Sequence, residues 1–164
     1  YVLDEVLAYP YKIAEDMDLV ITTQEHAEAL EKMISSDRKI AKIALSLRAD
    51  CIARLVKLRA GERVGIVCDS LRFGDLLTRA CGVFAPQAAV DRPCLFSSCA
   101  GYLAGKEAIL VPENCERYAD ADTIQVLRDF SARGEMIPCV YQIDEGSFMY
   151  LEERIEKLRN KEML

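Results

Sequence analysis

No tryptophan occurs among the 164 residues, histidine occurs once, and glycine and proline are held to 8 and 5 positions. So little glycine and proline excludes collagen-like and low-complexity chains. With His26 as the single imidazole, a nucleophilic triad has one candidate base, and a Cys/His zinc site is hard to assemble. No Cys-x-x-Cys pair occurs. No Gly-x-Gly-x-x-Gly follows a strand pattern and no P-loop is present, which removes sequence support for dinucleotide binding and for nucleoside triphosphate hydrolysis. No apolar run reaches the ~18–20 residues of a membrane span. An excess of base is also missing: 21 Lys and Arg stand against 27 Asp and Glu, a formal charge of -6. Phosphate contacts need a basic face, so nucleic acid and anionic membranes are not expected as direct partners of this segment. The opening Tyr1-Val-Leu-Asp-Glu5 has acid where a signal peptide needs base, and it lacks Met. The expectation is no signal peptide, and a further segment in front.

What is present is a core. Hydrophobic residues make up 51% and charged residues 29%, the balance of one globular domain spanning 1–164. A subdivision into two lobes, 1–50 and 62–164, with the boundary in 48–62, and a single continuous sheet both fit the pattern. The seven cysteines sit mostly inside apolar runs such as Val-Gly-Ile-Val-Cys68 and Ile-Pro-Cys139-Val-Tyr. They read as reduced, mainly structural thiols of a cytoplasmic protein.

Along the chain, short β-branched runs alternate with helical patterns. Asp18–Thr23 reads as a buried strand, followed by a helix over Gln24–Ile34 with Ala27, Leu30, Met33 and Ile34 on one face. Ile40–Ser46 reads as a strand, and Cys51, Ile52, Leu55, Val56 and Leu58 as a helical stripe ended by Gly61. Arg63–Cys68 is the clearest strand, ahead of a helix carrying Phe73, Leu76, Leu77, Ala80 and Cys81. Pro93–Ser98, Ala108–Pro112 and Met136–Ile143 read as further strands, Pro138 pushing the last toward a sheet edge or falling in its first residues. A helix marked by Ile124, Leu127 and Phe130 precedes it. The closing helix points Phe148, Leu151, Ile155 and Leu158 inward and Glu152, Glu153, Arg154, Lys157 and Arg159 outward. Such alternation predicts an α/β fold, a mostly parallel sheet flanked by helices, doubly wound or two-lobed.

Ligands of open α/β sheets bind beyond the carboxyl ends of the strands. The polar residues there are Thr22, Thr23 and His26, then Ser46 and Arg48, then Asp69, Ser70 and Arg72, then Ser97 and Ser98, then Glu113 and Asn114, and finally Asp144 and Ser147. Hydroxyls, helix N-termini and two arginines suit a small anionic or polar ligand. Thr22 or Thr23, Ser70, and Asp144 or Ser147 equally suit helix N-caps. No catalytic residue, metal site or cofactor is expected. A cysteine-dependent isomerase or racemase, using Cys68 with Cys99 or Cys99 with His26, is the rival reading. A receiver-like phosphorylation module at Asp69 is a third.

Three segments together carry a resemblance: Asp18-Leu-Val-Ile-Thr-Thr-Gln-Glu-His26, Leu58-Arg-Ala-Gly-Glu-Arg-Val-Gly-Ile-Val-Cys68-Asp-Ser, and Tyr141-Gln-Ile-Asp-Glu-Gly-Ser147-Phe-Met-Tyr-Leu. They resemble the C-terminal effector-binding domain of one branch of GntR-family bacterial transcription regulators, over most of residues 18–158. The resemblance implies a fold like that of type 2 solute-binding proteins. It also implies a small-molecule effector, a homodimer, and operator DNA bound only through an N-terminal winged helix outside this sequence. By position, Thr22, Thr23, His26 and Ser46 would line the effector cleft from one side, and Asp69, Ser70 and Arg72 would close it from the other. Val2, Leu3, Val6, Leu7 and the last helix are the candidate dimer contacts.

Overall fold

The computed structural model describes residues 17–32, 34 and 39–162. Val2, Leu3, Val6, Leu7 and Met33 lie outside the described residues. The chain divides into two units, residues 1–46 with 142–164, and residues 47–141. The expected lobes 1–50 and 62–164 differ from this division, since the C-terminal helix groups with the N-terminal unit.

In the first unit, strand β1 (Val20–Thr23), helix α1 (Gln24–Glu31) and strand β2 (Ile40–Ile43) form a β-α-β turn of chain. The strands pair in parallel, Val20 opposite Ile40 through Thr23 opposite Ile43. Leu30, Ile34 and Ile40 form the core here, with Met17 and Val20 against them. The helix stops at Glu31, short of the expected Ile34. The strand expected over Ile40–Ser46 is two strands, β2 and β3 (Leu45–Leu47). Ala44 breaks it because its N–H is taken by Ser147 Oγ at 2.9 Å and its carbonyl accepts the Asp144 N–H at 3.1 Å. Helix α6 (Glu145–Glu162) packs on β2. Of its expected inward residues Leu151 is buried, whereas Phe148 is 52% and Ile155 37% exposed. A two-stranded sheet is too narrow to cover the whole stripe.

The second unit holds β4 (Arg63–Cys68), β5 (Ala89–Val90), β6 (Cys94–Leu95), β7 (Ala108–Pro112) and β8 (Glu135–Cys139), with α2 (Ala49–Leu55), α3 (Leu71–Phe84), α4 (Cys99–Tyr102) and α5 (Ala121–Ser131). The sheet order is β5-β4-β7-β8, and β6 pairs with β4 beyond β5. Every pairing in it is parallel. Parallel strands are covered on both faces, which is why β4 and β7 read as continuous apolar runs. Val64, Ile66, Leu110 and Ile137 face α2 and α3 through Leu55 and Leu77. Val67, Ile109 and Val111 face α4 and α5 through Leu103, Leu127 and Phe130. The sheet is mostly parallel and flanked by helices, as expected, and of the two arrangements left open it is wound on both sides. Pro138 sits on β8 at the sheet edge, opposite Val111.

Three local expectations fail in this unit. Helix α2 ends at Leu55, leaving Val56 exposed and Leu58 buried in the turn that follows. Gly61 takes the left-handed φ of 74°, but in that later turn rather than at the cap. Only Cys94 and Leu95 of Pro93–Ser98 form a strand, because Phe96–Ser98 turn into a 3-10 helix that buries Phe96. The span Met136–Ile143 is likewise two strands, β8 and β9 (Tyr141–Ile143), the latter pairing with β3.

Candidate functional site

The chain leaves β4 toward β5 through α3, and leaves β6 toward β7 through α4, passing to opposite sides of β4. The carboxyl ends of β4 and β7 thus form a topological switch point, the usual ligand crevice of such sheets. Asp69 and Ser70 follow β4, and Glu113 and Asn114 follow β7. Ser70 occupies the N-cap position of α3 without capping it. Asn114 turns the chain in the left-handed region, at φ 58°.

Arg48 joins this rim. Its Nε and Nη2 donate to Asp50 at 2.6 and 2.9 Å, and its Nη1 lies 2.7 Å from Glu113 Oε1. These bonds hold the Arg48 guanidinium above its ordinary pKa, chiefly through Asp50, and Arg48 in turn holds the Asp50 carboxyl down. The expected use of Arg48 on an anion is therefore not what the structure displays: two carboxylates of its own chain already occupy its fork. Arg72, exposed on α3, makes further interactions of its own.

Ser97 and Ser98 line a separate depression of about 350 Å³ with Asp120, Asp122 and Thr123. There the Asp120 carboxylate accepts the Thr123 N–H at 2.8 Å and caps α5, and the Thr123 hydroxyl donates to the Phe96 carbonyl at 3.3 Å. The described residues include no group of three or more Asp, Glu, His or Cys placed to hold a metal ion.

Thr22, Thr23, His26 and Ser46 belong to the first unit. Thr22 is buried with its hydroxyl on the Thr23 carbonyl at 3.4 Å, and Thr23 stands at the N-cap of α1 without capping it. His26 and Ser46 are half-buried. None of the four lines the pocket of about 720 Å³ in this unit, which is formed by Glu31, Ile40, Lys42, Ala44, Asp144, Gly146, Ser147, Tyr150 and Arg154.

This pocket is built by three elements. Strand β2 brings Lys42, ion-paired to Glu31 of α1. The first turns of α6 bring Ser147, Tyr150 and Arg154, with Asp144 just before them. The Ser147 hydroxyl donates to Asp144 Oδ2 at 2.6 Å, and the Ser147 N–H donates to Oδ1 at 3.1 Å. Those two bonds, the hydroxyl first, hold the Asp144 carboxyl below its ordinary range. Arg154 Nη1 donates to the Tyr150 hydroxyl at 2.8 Å. Two cations, two anions and two hydroxyls thus converge on one depression.

A family profile, the YmtS Rossmann-like domain, matches residues 65–162. The chain belongs to the YmtS Rossmann-like domain family. The match begins inside β4 and runs through α6, so it takes in most of the second unit's sheet and the α6 side of the pocket. No curated protein and no solved structure matches the chain significantly. No helix among the described residues is long and apolar enough to cross a membrane.

For this YmtS Rossmann-like chain, sequence reasoning named Asp144 and Ser147 but missed Glu31, Lys42 and Tyr150 and turned Arg154 outward. One signal was available: 144, 147, 150 and 154 recur at spacings of 3, 3 and 4, a single polar helix face. Lys42 inside Ile-Ala-Lys-Ile was the other. The two thiols of the isomerase reading, Cys68 and Cys99, are buried, and burial raises both pKa values. An activated nucleophile needs the opposite environment.

Proposed function

We propose that this chain is the ligand-sensing part of a bacterial transcription regulator: a cytoplasmic, non-enzymatic domain that binds a small polar or anionic effector. The observation that carries the ligand half is the first unit's pocket. Its volume, about 720 Å³, lies in the usual range for small-molecule sites. Lys42, paired with Glu31, and Arg154 set positive charge beside the Glu31 and Asp144 carboxylates, an arrangement that suits a small polar ligand carrying groups of either sign, and the Ser147 and Tyr150 hydroxyls add directional hydrogen bonds. The GntR-like segments support the regulatory half, because the third of them, Asp144-x-Gly-Ser147, is also one wall of the pocket.

Sensing works here by differential binding. An effector favouring one conformation of a homodimer shifts its population, and with it the DNA-reading segments outside this sequence. A tenfold preference needs only about 1.4 kcal/mol.

The test is a thermal-shift screen with citrate, glutamate, inorganic phosphate and glucose 6-phosphate, repeated on Arg154→Gln. A ligand at 100 times its Kd stabilises by about 2.7 kcal/mol. The expected result is a shift with at least one probe that is lost in Arg154→Gln, the probe being recovered unchanged. A shift that persists in the variant puts binding elsewhere, a consumed probe makes the chain an enzyme, and no shift with any probe overturns the reading.

A further inference from the structure

Cys51 on α2 and Cys139 at the end of β8 are 88 residues apart in sequence, yet their sulfurs lie 3.1 Å apart. Each residue is 1% exposed. Disulfide sulfurs are ~2.05 Å apart. The two sulfurs thus stand about 1 Å beyond bonding distance, with no other group between them. Nothing else among the described residues brings two sulfurs into hydrogen-bonding reach, and neither cysteine lines the two depressions described above.

We infer that Cys51 and Cys139 form an intramolecular disulfide on exposure to a peroxide, a covalent modification site that ties the helix before the sheet to its edge strand. The reaction balances with one hydrogen peroxide. The Cys51 thiolate attacks a peroxide oxygen, the O–O bond breaks, and Cys51 becomes a sulfenic acid while the departing hydroxide takes up the proton Cys51 had released and leaves as water. The Cys139 sulfur then attacks the Cys51 sulfur, the S–O bond breaks, and a second water carries away the hydroxyl and the Cys139 proton. Both sulfurs are oxidised and both peroxide oxygens reduced.

The surroundings favour this order of attack. The contact with Cys139 is the largest influence on the Cys51 thiol and lowers its pKa, with Arg54 in the same direction, and together they outweigh burial and Asp50, which raise it. Cys139 is pushed upward by the same partnership and by burial, so it keeps its proton until the second step. Cys81 belongs to the same core cluster, but burial raises its thiol to about 11, which leaves it protonated beside the pair.

The experiment treats the folded chain with hydrogen peroxide, blocks the remaining thiols in denaturant with iodoacetamide, and maps peptides without reduction. The expected result is loss of two of the seven alkylatable thiols and a Cys51–Cys139 cross-linked peptide that dithiothreitol releases. The cross-link should also form unchanged in Cys81→Ala. Seven alkylated thiols after treatment would overturn the proposal, as would a link between any other pair, or oxidation of Cys51 to sulfinic acid without a partner. Wild-type protein suffices for the decisive reading, so a folding defect in the Cys81 variant leaves the test intact.

Discussion

Tyr102 lies against Gly65, and its hydroxyl repairs a break in the sheet. A Cβ on residue 65 would come within 2.9 Å of Tyr102 Cε1. The Tyr102 hydroxyl accepts the Ile66 N–H at 2.9 Å and donates to the Arg92 carbonyl at 2.8 Å. Strand β5 pairs with Arg63 and Val64, and β6 with Val67 and Cys68. On that edge of β4 the ladder is interrupted between them, and the phenol bridges the interruption. Tyr102→Phe leaves the Ile66 N–H unpaired and should cost about 1–3 kcal/mol in denaturant titration. Gly65→Ala should also destabilise, because the ring must shift away from its bond.

Phe130 and Phe148 are both aromatic positions on amphipathic helices, but the structure separates them. Phe130 is 1% exposed in the core of the second unit, and Phe148 is 52% exposed on α6. Phe130→Ala is expected to cost about 3–5 kcal/mol. Phe148→Ala should stay within about 0.5 kcal/mol. Urea midpoints of the two variants check the contrast.

Acid should unfold the chain partly through its caps. Asp120 is held below its ordinary range by the Thr123 N–H, and Asp144 by the Ser147 hydroxyl and N–H. A depressed carboxylate stabilises the fold above its unfolded pKa of ~3.9, and this contribution is lost as pH falls through the folded value. Asp120→Ala and Asp144→Ala should lower the melting temperature at pH 7. Their difference from wild type should shrink below pH ~4.

Alkali should act through the core thiols. Burial raises Cys81 to about 11, whereas an unfolded thiol ionises near ~8.5. A raised acid stabilises the fold below the unfolded value, so stability should fall progressively from pH ~8.5 and stop falling near the folded value. Cys81→Ala should flatten this stretch of the stability curve, as read by melting temperature across pH 8–11.

Much of the second unit was legible residue by residue. Arg63–Cys68 and Ala108–Pro112 are strands with the bounds their apolar runs suggest, since both faces of a central parallel strand are buried and leave no alternation to misread. Strand breaks were not legible. Ala44 ends β2 because of hydrogen bonds to residues a hundred positions away, and nothing in Ile-Ala-Lys-Ile-Ala-Leu-Ser announces them. The polar face of α6 was visible, yet its use was misassigned: helical period states which residues share a face, not what that face meets.

The sequence by itself determined the α/β alternation, a mostly parallel sheet flanked by helices, and the restriction of Pro138 to a sheet edge or to the first residues of its strand. These follow from local periodicity and from the donor that proline lacks. Only the tertiary structure decided that α6 joins the N-terminal strands, that Lys42 and Arg154 line one pocket, that carboxylates occupy Arg48, and that Cys51 meets Cys139. Each of these joins residues far apart in the chain. Packing brings such residues together, and a pattern spanning one turn of helix or a few strand positions carries no record of it.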